Sequence, residues 1–254
     1  FIKCDSKEAR LFTEIFHLLD PDIFIDTHVS NGADYQHVMT LIASQHSKLG
    51  GAMGEFMNKV FEPALYASMK QKGYDLIPYV NAFGDTPENG WPEFLEGPRY
   101  SSGYASLWHT FAFVPETHML KPYNQRVKAT YELMMSFIDF TSNNSEGIRK
   151  ARDEQKRAVK IATEFPIGWT VDRSRYSDRL YKGYESGRKP SLVSGLPRLY
   201  YDRNKPFEKP VKFYNFFNPK LNIKKPVAYI IPQGWWKVID LLKTNKAQMR
   251  QLGR

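Results

Sequence analysis

The sequence predicts an α/β protein in which a partial mixed sheet flanked by helices is followed by a smaller β-rich part. Over residues 1–160, short apolar runs typical of buried strands alternate with longer segments of helical periodicity. From residue 161 onwards, short aromatic-rich segments separated by glycine and proline replace that pattern, as in antiparallel sheets. We therefore predict two domains, at residues 1–160 and 161–254, with the boundary falling at 155–165.

Four apolar runs in the first part predict strands that lie side by side, at residues 22–29, 36–43, 75–80 and 107–115. A helix that begins after Ser6, a common N-cap residue, and ends at Asp20 precedes the first of them. Further helices are predicted at residues 50–72 and 124–160, the second interrupted by the polar stretch 142–145. Residues 84–97, rich in Pro, Gly and Glu, predict a surface loop.

The second part is predicted to hold short antiparallel strands and one terminal helix at about residues 234–251. Three tryptophans, Trp169, Trp235 and Trp236, have two possible uses here. They form either a stacking platform for a glycan or peptide, or the core of a small sandwich that caps the first part. We favour the core.

Composition limits the classes of protein that are possible. A hydrophobic fraction of 42% with 15% aromatic residues is typical of a folded chain and excludes a disordered one. No run reaches the ~18 apolar residues of a membrane-spanning helix, so no membrane-spanning segment is expected. The single cysteine, Cys4, excludes an internal disulfide and a cysteine-based zinc site.

The net charge of +9 is unevenly distributed. Residues 1–150 carry 13 Lys and Arg against 18 Asp and Glu, whereas residues 151–254 carry 23 against 9. A basic half is compatible with nucleic-acid binding, which would predict an affinity that falls steeply with added salt. No Lys/Arg cluster lies on an evident recognition helix, and no nucleic-acid motif occurs. We therefore favour a solvated basic surface and predict no nucleic-acid partner.

His28 is the first candidate site residue, because it ends the predicted strand 22–29 and precedes a turn that contains glycine. Sites in open α/β sheets lie at the carboxyl ends of strands. Asp26 shares the strand face of His28 and is placed to orient polar neighbours. An ordinary strand-end histidine explains the same pattern equally well.

Glu116 is the second candidate, because it emerges at the end of the apolar run 111–114. Burial of an ionised carboxylate costs several kcal/mol unless the group is paired, so such a residue has a partner or a task. One interpretation is a structural ion pair with Lys or Arg. The other is a general base, which suits a carboxylate beside a metal-bound water.

Three segments carry a resemblance to a known family: FIDTHVSNGADYQ at residues 24–36, RYSSGYASL at 99–107 and PETHML at 115–120. In this order and approximate separation they resemble the zinc metallocarboxypeptidase family, in a bacterial branch. The opening residues Phe1-Ile2-Lys3 also resemble the continuation of an Asn-Arg-Asp element that helps bind the substrate carboxylate. The resemblance covers about residues 1–160 and implies a carboxypeptidase-like fold.

The resemblance implies a role for each matching residue. His28 corresponds to the third zinc ligand and Glu116 to the general base, while either Tyr100 or Tyr104 corresponds to the tyrosine that closes over the substrate. It further implies Zn²⁺ as cofactor, hydrolysis of peptide or cell-wall peptide bonds, and a periplasmic or extracellular location. His118, although close to Glu116, is interpreted not as a zinc ligand but as a structural residue or as a neighbour that supports the site residues.

One departure from the family pattern matters for activity. The first two zinc ligands of the family come from an upstream His-x-x-Glu motif, and this sequence contains no His-x-x-Glu. We therefore expect the chain by itself to be inactive and to bind no zinc. If the family assignment is right, His28 and Glu116 lie at one sheet edge, with ring and carboxylate on the order of 4–8 Å apart. The alternative is a non-catalytic, peptidase-like module that binds glycans or peptides.

Overall fold

The structure is a computed structural model that describes residues 1–83 and 85–253. It is mixed α/β, with several sheets flanked by helices, as predicted. The helices are α1 (Lys7–Leu19), α2 (His46–Leu49), α3 (Gly51–Phe56), α4 (Glu62–Gln71), α5 (Ser101–Leu107), α6 (Tyr123–Ile161) and α7 (Trp236–Thr244). The strands are β1 (Ile23–Ile25), β2 (His28–Ser30), β3 (Met39–Ala43), β4 (Ile77–Pro78), β5 (Trp91–Pro92), β6 (Phe111–His118), β7 (Glu164–Val171), β8 (Ser177–Pro190), β9 (Pro197–Tyr214) and β10 (Phe217–Lys224).

The main sheet is built around β6. Its order is β1-β6-β3-β4, and β2 pairs with β6 beyond the end of β1. β6 runs parallel to β1 and β2 and antiparallel to β3, which in turn runs parallel to β4. The four predicted strands do lie side by side, although the first is split into β1 and β2 at Asp26-Thr27.

Side chains of β6 alternate between two hydrophobic layers. Phe111 and Phe113 enter a core formed with α3, α4 and α6, where the Phe113 and Phe137 ring centroids are 4.8 Å apart. Ala112 faces the opposite layer, which contains Phe16 of α1 and Tyr104 of α5. The period-2 alternation of a strand therefore gives β6 one large-residue face and one small-residue face.

Two predicted helices contain irregularities that the sequence explains. The helix predicted at residues 50–72 includes a π-helical turn, Met57–Phe61, directly before α4. Pro63 lies at the start of α4 and has no N–H to continue a regular hydrogen-bond ladder. In α6 the backbone leaves the helical region at Asn144 (φ −127°, ψ 18°), inside the predicted interruption.

Two boundaries differ from the prediction. Residue 107 ends α5 and does not begin a strand, because the chain turns at His109 (φ 60°) before β6 starts at Phe111. The predicted loop 84–97 contains β5, and Trp91 in it is 1% exposed because it packs against β9. Gly84, the first residue of that predicted loop, lies outside the described residues.

The β-rich part consists of two antiparallel pairs. β8 and β9 form a long hairpin, and β7 pairs with β10 in a separate ribbon. The hairpin shares a hydrophobic core with earlier segments, since Tyr181 and Phe213 pack with Tyr35 and Trp91. The division of the chain into two domains at residue 160 stays a prediction. This hydrophobic core contains residues from both sides of that boundary.

The terminal helix α7 is shorter than the predicted 234–251. It packs on α1, where Arg10 Nη1 lies 2.8 Å from Asp240 Oδ2. Trp235 and Trp236 are 62% and 65% exposed, so the expectation that they form a sandwich core is wrong. Among the described residues, no helix combines the length and apolarity needed to cross a bilayer.

Arg152 of α6 holds together the segments that precede β1 and β6. Its side chain is buried, and it donates to the carboxylates of Asp20, at 2.7 Å, and of Asp22. The same guanidinium donates to the carbonyl of His109, at 2.6 Å. Asp22 precedes β1 and His109 precedes β6, so one side chain aligns the starts of both strands.

The hairpin is held on the main sheet by His37. The ring Nδ1 donates to the carbonyl of Asp75 at 2.8 Å, and Nε2 accepts from the backbone N–H of Lys182 in β8 at 3.1 Å. This pattern requires the neutral ring. Burial lowers the pKa of His37 to about 4.

We expect acid to weaken this attachment. A histidine with a depressed folded pKa stabilises the fold above its unfolded pKa, about 6.5, and this contribution is lost as pH falls towards about 4. Between pH 7 and pH 5 the His37 contribution to the free energy of unfolding should fall by about 2 kcal/mol. Urea unfolding at both pH values measures this loss.

The His37→Gln variant should lose about 2 kcal/mol less between these pH values than the unchanged protein. Asn143→Gln, which replaces an exposed residue of α6 that does not titrate, serves as the control and should retain the full acid sensitivity. Equal acid sensitivity in all three proteins would contradict the assignment of the effect to His37.

Candidate functional site

His28 and Glu116 are partners in the parallel pairing of β2 with β6. Their Cα atoms face each other in register, followed by Val29 with Thr117 and Ser30 with His118. Partner residues of parallel neighbours point to the same side of a sheet, and the strands are about 4.8 Å apart. The prediction that both residues lie on neighbouring parallel strands is therefore confirmed.

Asp26 joins this pair from the break between β1 and β2. Its Oδ2 lies 3.1 Å from His28 Nε2 and accepts a hydrogen bond from Ser101 Oγ at 2.5 Å. The break is itself anchored, because the backbone N–H of Asp26 donates to the carbonyl of Phe113 at 3.0 Å. Asp26 thus holds the ring of His28 through Nε2, which turns Nδ1 away from this carboxylate.

Glu116 is half-buried, and its partner His28 on the neighbouring strand is exposed. Burial raises its pKa above the ordinary value, the nearby His28 lowers it and the nearby Asp26 raises it further. Among the described residues no Lys or Arg forms an ion pair with Glu116, so the structural ion pair considered from the sequence is not formed there. Glu116 is a carboxyl group with a raised proton affinity beside an exposed imidazole.

Tyr79 lies near Glu116 on one side and near Tyr100 on the other. Burial, together with the nearby Glu116 and Tyr100, raises the pKa of Tyr79 to about 12. Tyr100 is 50% exposed and packs edge-on against Phe94, with ring centroids 5.0 Å apart. Tyr79 was not among the predicted site residues. Its position at the carboxyl end of the predicted strand 75–80, where sites of α/β sheets lie, could have indicated it.

Tyr104, the other tyrosine considered from the sequence, lies in the core. Its ring is fully buried and its hydroxyl donates to Asn245 Oδ1 at 2.8 Å. His17 Nε2 lies 3.0 Å from the hydroxyl oxygen of Tyr104. Gly103 makes this burial possible, because a Cβ there would lie 2.0 Å from the carbonyl oxygen of Gly97. Of the two candidates, the structure leaves Tyr100 half-exposed next to Ser101, whose hydroxyl donates to Asp26, and keeps Tyr104 away from solvent.

His118 is held by two hydrogen bonds and is fully buried. Its Nε2 lies 2.8 Å from the carbonyl oxygen of Ala33, and its Nδ1 accepts from the backbone N–H of Leu120 at 3.1 Å. Both ring nitrogens are therefore occupied. The interpretation of His118 as structural is confirmed.

These residues provide only part of a metal site. A catalytic zinc ion takes three protein ligands and leaves one position for water. Within residues 1–83 and 85–253, no group of three or more His, Cys, Asp or Glu is arranged to hold a metal ion. His28 offers one imidazole nitrogen, so the residues present fit one ligand position of a zinc site and not a complete site.

Comparisons of the chain with protein-family models, with characterised proteins and with solved structures find no match. The resemblance to zinc metallocarboxypeptidases therefore stays a prediction.

We expect the proton affinity of Glu116 to depend on Asp26. Glu116 should titrate above the ordinary glutamate value, and Asp26→Asn should lower its pKa because a neighbouring negative charge is removed. Carbon-13 NMR of glutamate-labelled protein follows this titration directly. Asp153→Asn removes an exposed carboxylate from α6 and should leave the Glu116 curve unchanged. Identical curves in the Asp26 variant and the unchanged protein would contradict the described arrangement.

Proposed function

We propose that this chain is the part of a zinc-dependent carboxypeptidase-type hydrolase that carries the third metal ligand, His28, and the general base, Glu116. The observation that supports this proposal is their in-register pairing in two parallel strands, with His28 at the start of β2 and Glu116 near the carboxyl end of β6. Residues 88 positions apart in sequence share one exposed edge, in the order and with the identities that the family motifs require. The substrate class is peptide or cell-wall peptide.

Each residue of the edge has a function in this proposal. Asp26 holds the imidazole of His28 through Nε2, as carboxylates commonly do for metal-binding histidines, so Nδ1 is the nitrogen for the metal. A zinc ion bound there would polarise the scissile carbonyl and lower the pKa of a bound water. The residues supplying the other two ligands, a His-x-x-Glu pair, would lie outside these 254 residues.

Glu116 moves the proton in this proposal. Its carboxylate lies beside His28 and accepts a proton from the attacking water, then returns that proton to the leaving amine. The half-buried position of Glu116 near Tyr79 limits the access of bulk water to that proton. Tyr100, half-exposed at the start of α5, contacts the end of the substrate chain.

The test uses the gene product that contains this chain together with the proposed His-x-x-Glu segment. Glu116→Gln should leave the zinc content unchanged and lower peptide hydrolysis about 10²–10⁴-fold, because only the proton acceptor is lost. His28→Gln should lower both zinc content and hydrolysis. Plasma mass spectrometry measures the zinc, and mass spectrometry of peptide products measures loss of C-terminal residues.

Glu146→Gln is the matched control, since Glu146 is an exposed glutamate on α6. It should retain both zinc and activity. A protein that holds zinc equally well with and without His28, or that hydrolyses peptides equally well with and without Glu116, would overturn the proposal. A non-catalytic binding module would then be the better description.

A further inference from the structure

A groove of about 620 Å³ lies between the far end of the β8–β9 hairpin and the loop that follows β2. One wall consists of Gly32, Ala33 and Asp34. The opposite wall is the hairpin, from Arg188 and Lys189 on β8 to residues 198–201 on β9. The candidate hydrolytic site does not include any of these residues.

The hairpin wall carries three cations without carboxylate partners. Lys189 faces Arg198 in the β8–β9 register, and Arg188 is the neighbour of Lys189. Among the described residues none of the three has a carboxylate oxygen within 4.0 Å, whereas Arg203 on the same strand is paired with Asp34 at 2.7 Å. All three line the groove, Lys189 and Arg198 from one face of the hairpin and Arg188 from the other.

The same wall presents an aromatic surface. Tyr200 faces Gly187 across the hairpin, and a Cβ at Gly187 would lie 2.8 Å from the Tyr200 ring, so glycine is required for the ring to lie there. Lys189 Nζ lies 4.8 Å from the centre of the Tyr200 ring. Phe83 and Leu199 add apolar lining.

Two polar atoms of the groove residues are buried without a hydrogen-bond partner among the described residues. They are Asp34 Oδ1 and the hydroxyl oxygen of Tyr201. Asp34 is only 7% exposed, and its other oxygen accepts from Arg203. A buried polar atom without a partner is costly, but both atoms lie beneath the surface of the groove and out of reach of a ligand.

The groove is connected rigidly to the strand that carries Glu116. His118, two residues after Glu116, lies 2.8 Å from the carbonyl oxygen of Ala33. The Gln36 side chain donates to the carbonyls of Gly183 and Phe207, at 2.9 and 3.1 Å, and so holds the hairpin against the same loop. Gly32 is the fourth residue after His28, so the chain places it within about 14 Å of that histidine.

We propose that this groove binds an acidic segment of the substrate peptide, a few residues away from the bond to be cleaved. The identification as a substrate subsite rests on the proposed function. In this proposal Arg188, Lys189 and Arg198 pair with Asp or Glu side chains of the peptide. A nucleic acid fits less well, because it carries an anion at every repeat and would place one against the carboxylates of Asp34 and Asp85.

Binding to the 254-residue chain tests this proposal without any hydrolysis. The probe is a short fluorescein-labelled peptide in which glutamate alternates with alanine, and its counterpart has glutamine at each glutamate. Fluorescence anisotropy should show that the glutamate peptide binds about tenfold more tightly, and that salt weakens it. The double variant Arg188→Gln, Arg198→Gln should remove most of this difference.

The matched control is Arg149→Gln, Arg157→Gln, which removes two exposed arginines from α6 and should retain the tenfold difference. Thermal unfolding of both double variants verifies that the exposed substitutions leave the fold intact. Equal binding of the two peptides, or an equal loss in the control, would overturn the proposal. Tighter binding of a single-stranded oligothymidylate with the same sensitivity to Arg188 and Arg198 would also overturn it, in favour of a nucleic-acid surface.

The peptide-binding proposal for the groove and the hydrolase proposal can be rejected independently of each other. The anisotropy difference is measured in the absence of zinc and depends on Arg188 and Arg198, not on His28 or Glu116. Selective binding with no effect of His28 on zinc content would preserve an acidic-peptide site and reject the hydrolase. Loss of the peptide selectivity, with zinc and activity still dependent on His28 and Glu116, would reject the groove alone.

Discussion

The rest of the structure depends on β6 being paired along both edges and covered on both faces. Strands β1 and β2 occupy one edge and β3 the other, and residues Phe111 to Pro115 are all buried. A fully buried phenylalanine stabilises the fold by about 1.5–3 kcal/mol relative to an exposed one. Phe111 and Phe113 provide this on one face, while Ala112 allows α1 and α5 to approach on the other.

The candidate site interrupts this burial, since Glu116 is half-buried between Pro115 and Thr117, which are both buried. Within a few residues β6 changes from Phe113 and Val114, which are buried, to Glu116, which is only half-buried. The edge holds Asp26, His28 and Glu116 close together without an arginine or lysine among them. Backbone pairing imposes that proximity. Burial raises the pKa of Glu116 above its ordinary value, and the nearby carboxylate of Asp26 raises it further. A strongly paired strand can hold such a group of polar residues because the cost is offset in the adjacent core.

Local sequence signals predicted the main sheet and the β2–β6 part of the site. The apolar run 111–114 marked β6, the polar stretch 142–145 marked the break at Asn144, and the ends of two strands marked His28 and Glu116. The signals for Tyr100 and Tyr104 were alike, since both lie near the same motif. The deciding contact is the close approach of Gly103 to Gly97, which depends on how α5 docks and not on residue type.

Features that join distant parts of the chain could not be predicted in this way. The attachment of β8 through His37 and Gln36 connects residues about 145 positions apart, and no periodicity encodes that pairing. Trp91 was assigned to a loop because Pro, Gly and Glu surround it, yet it is buried by β9. Trp235 and Trp236 were expected in a core, but both are exposed where α7 begins. In each case tertiary packing overrode local propensity.

The pairing of β2 with β6 has a consequence for synthesis on the ribosome. The registered partners His28 and Glu116 are 88 residues apart in sequence. At a translation rate of about 5–20 residues per second, β2 is made roughly 4–18 s before its partner strand exists. During that interval Val29 and the unpaired backbone of β1 and β2 are open to other chains. Nascent-chain chaperones and the local elongation rate over residues 31–118 therefore become determinants of the yield of correctly assembled protein.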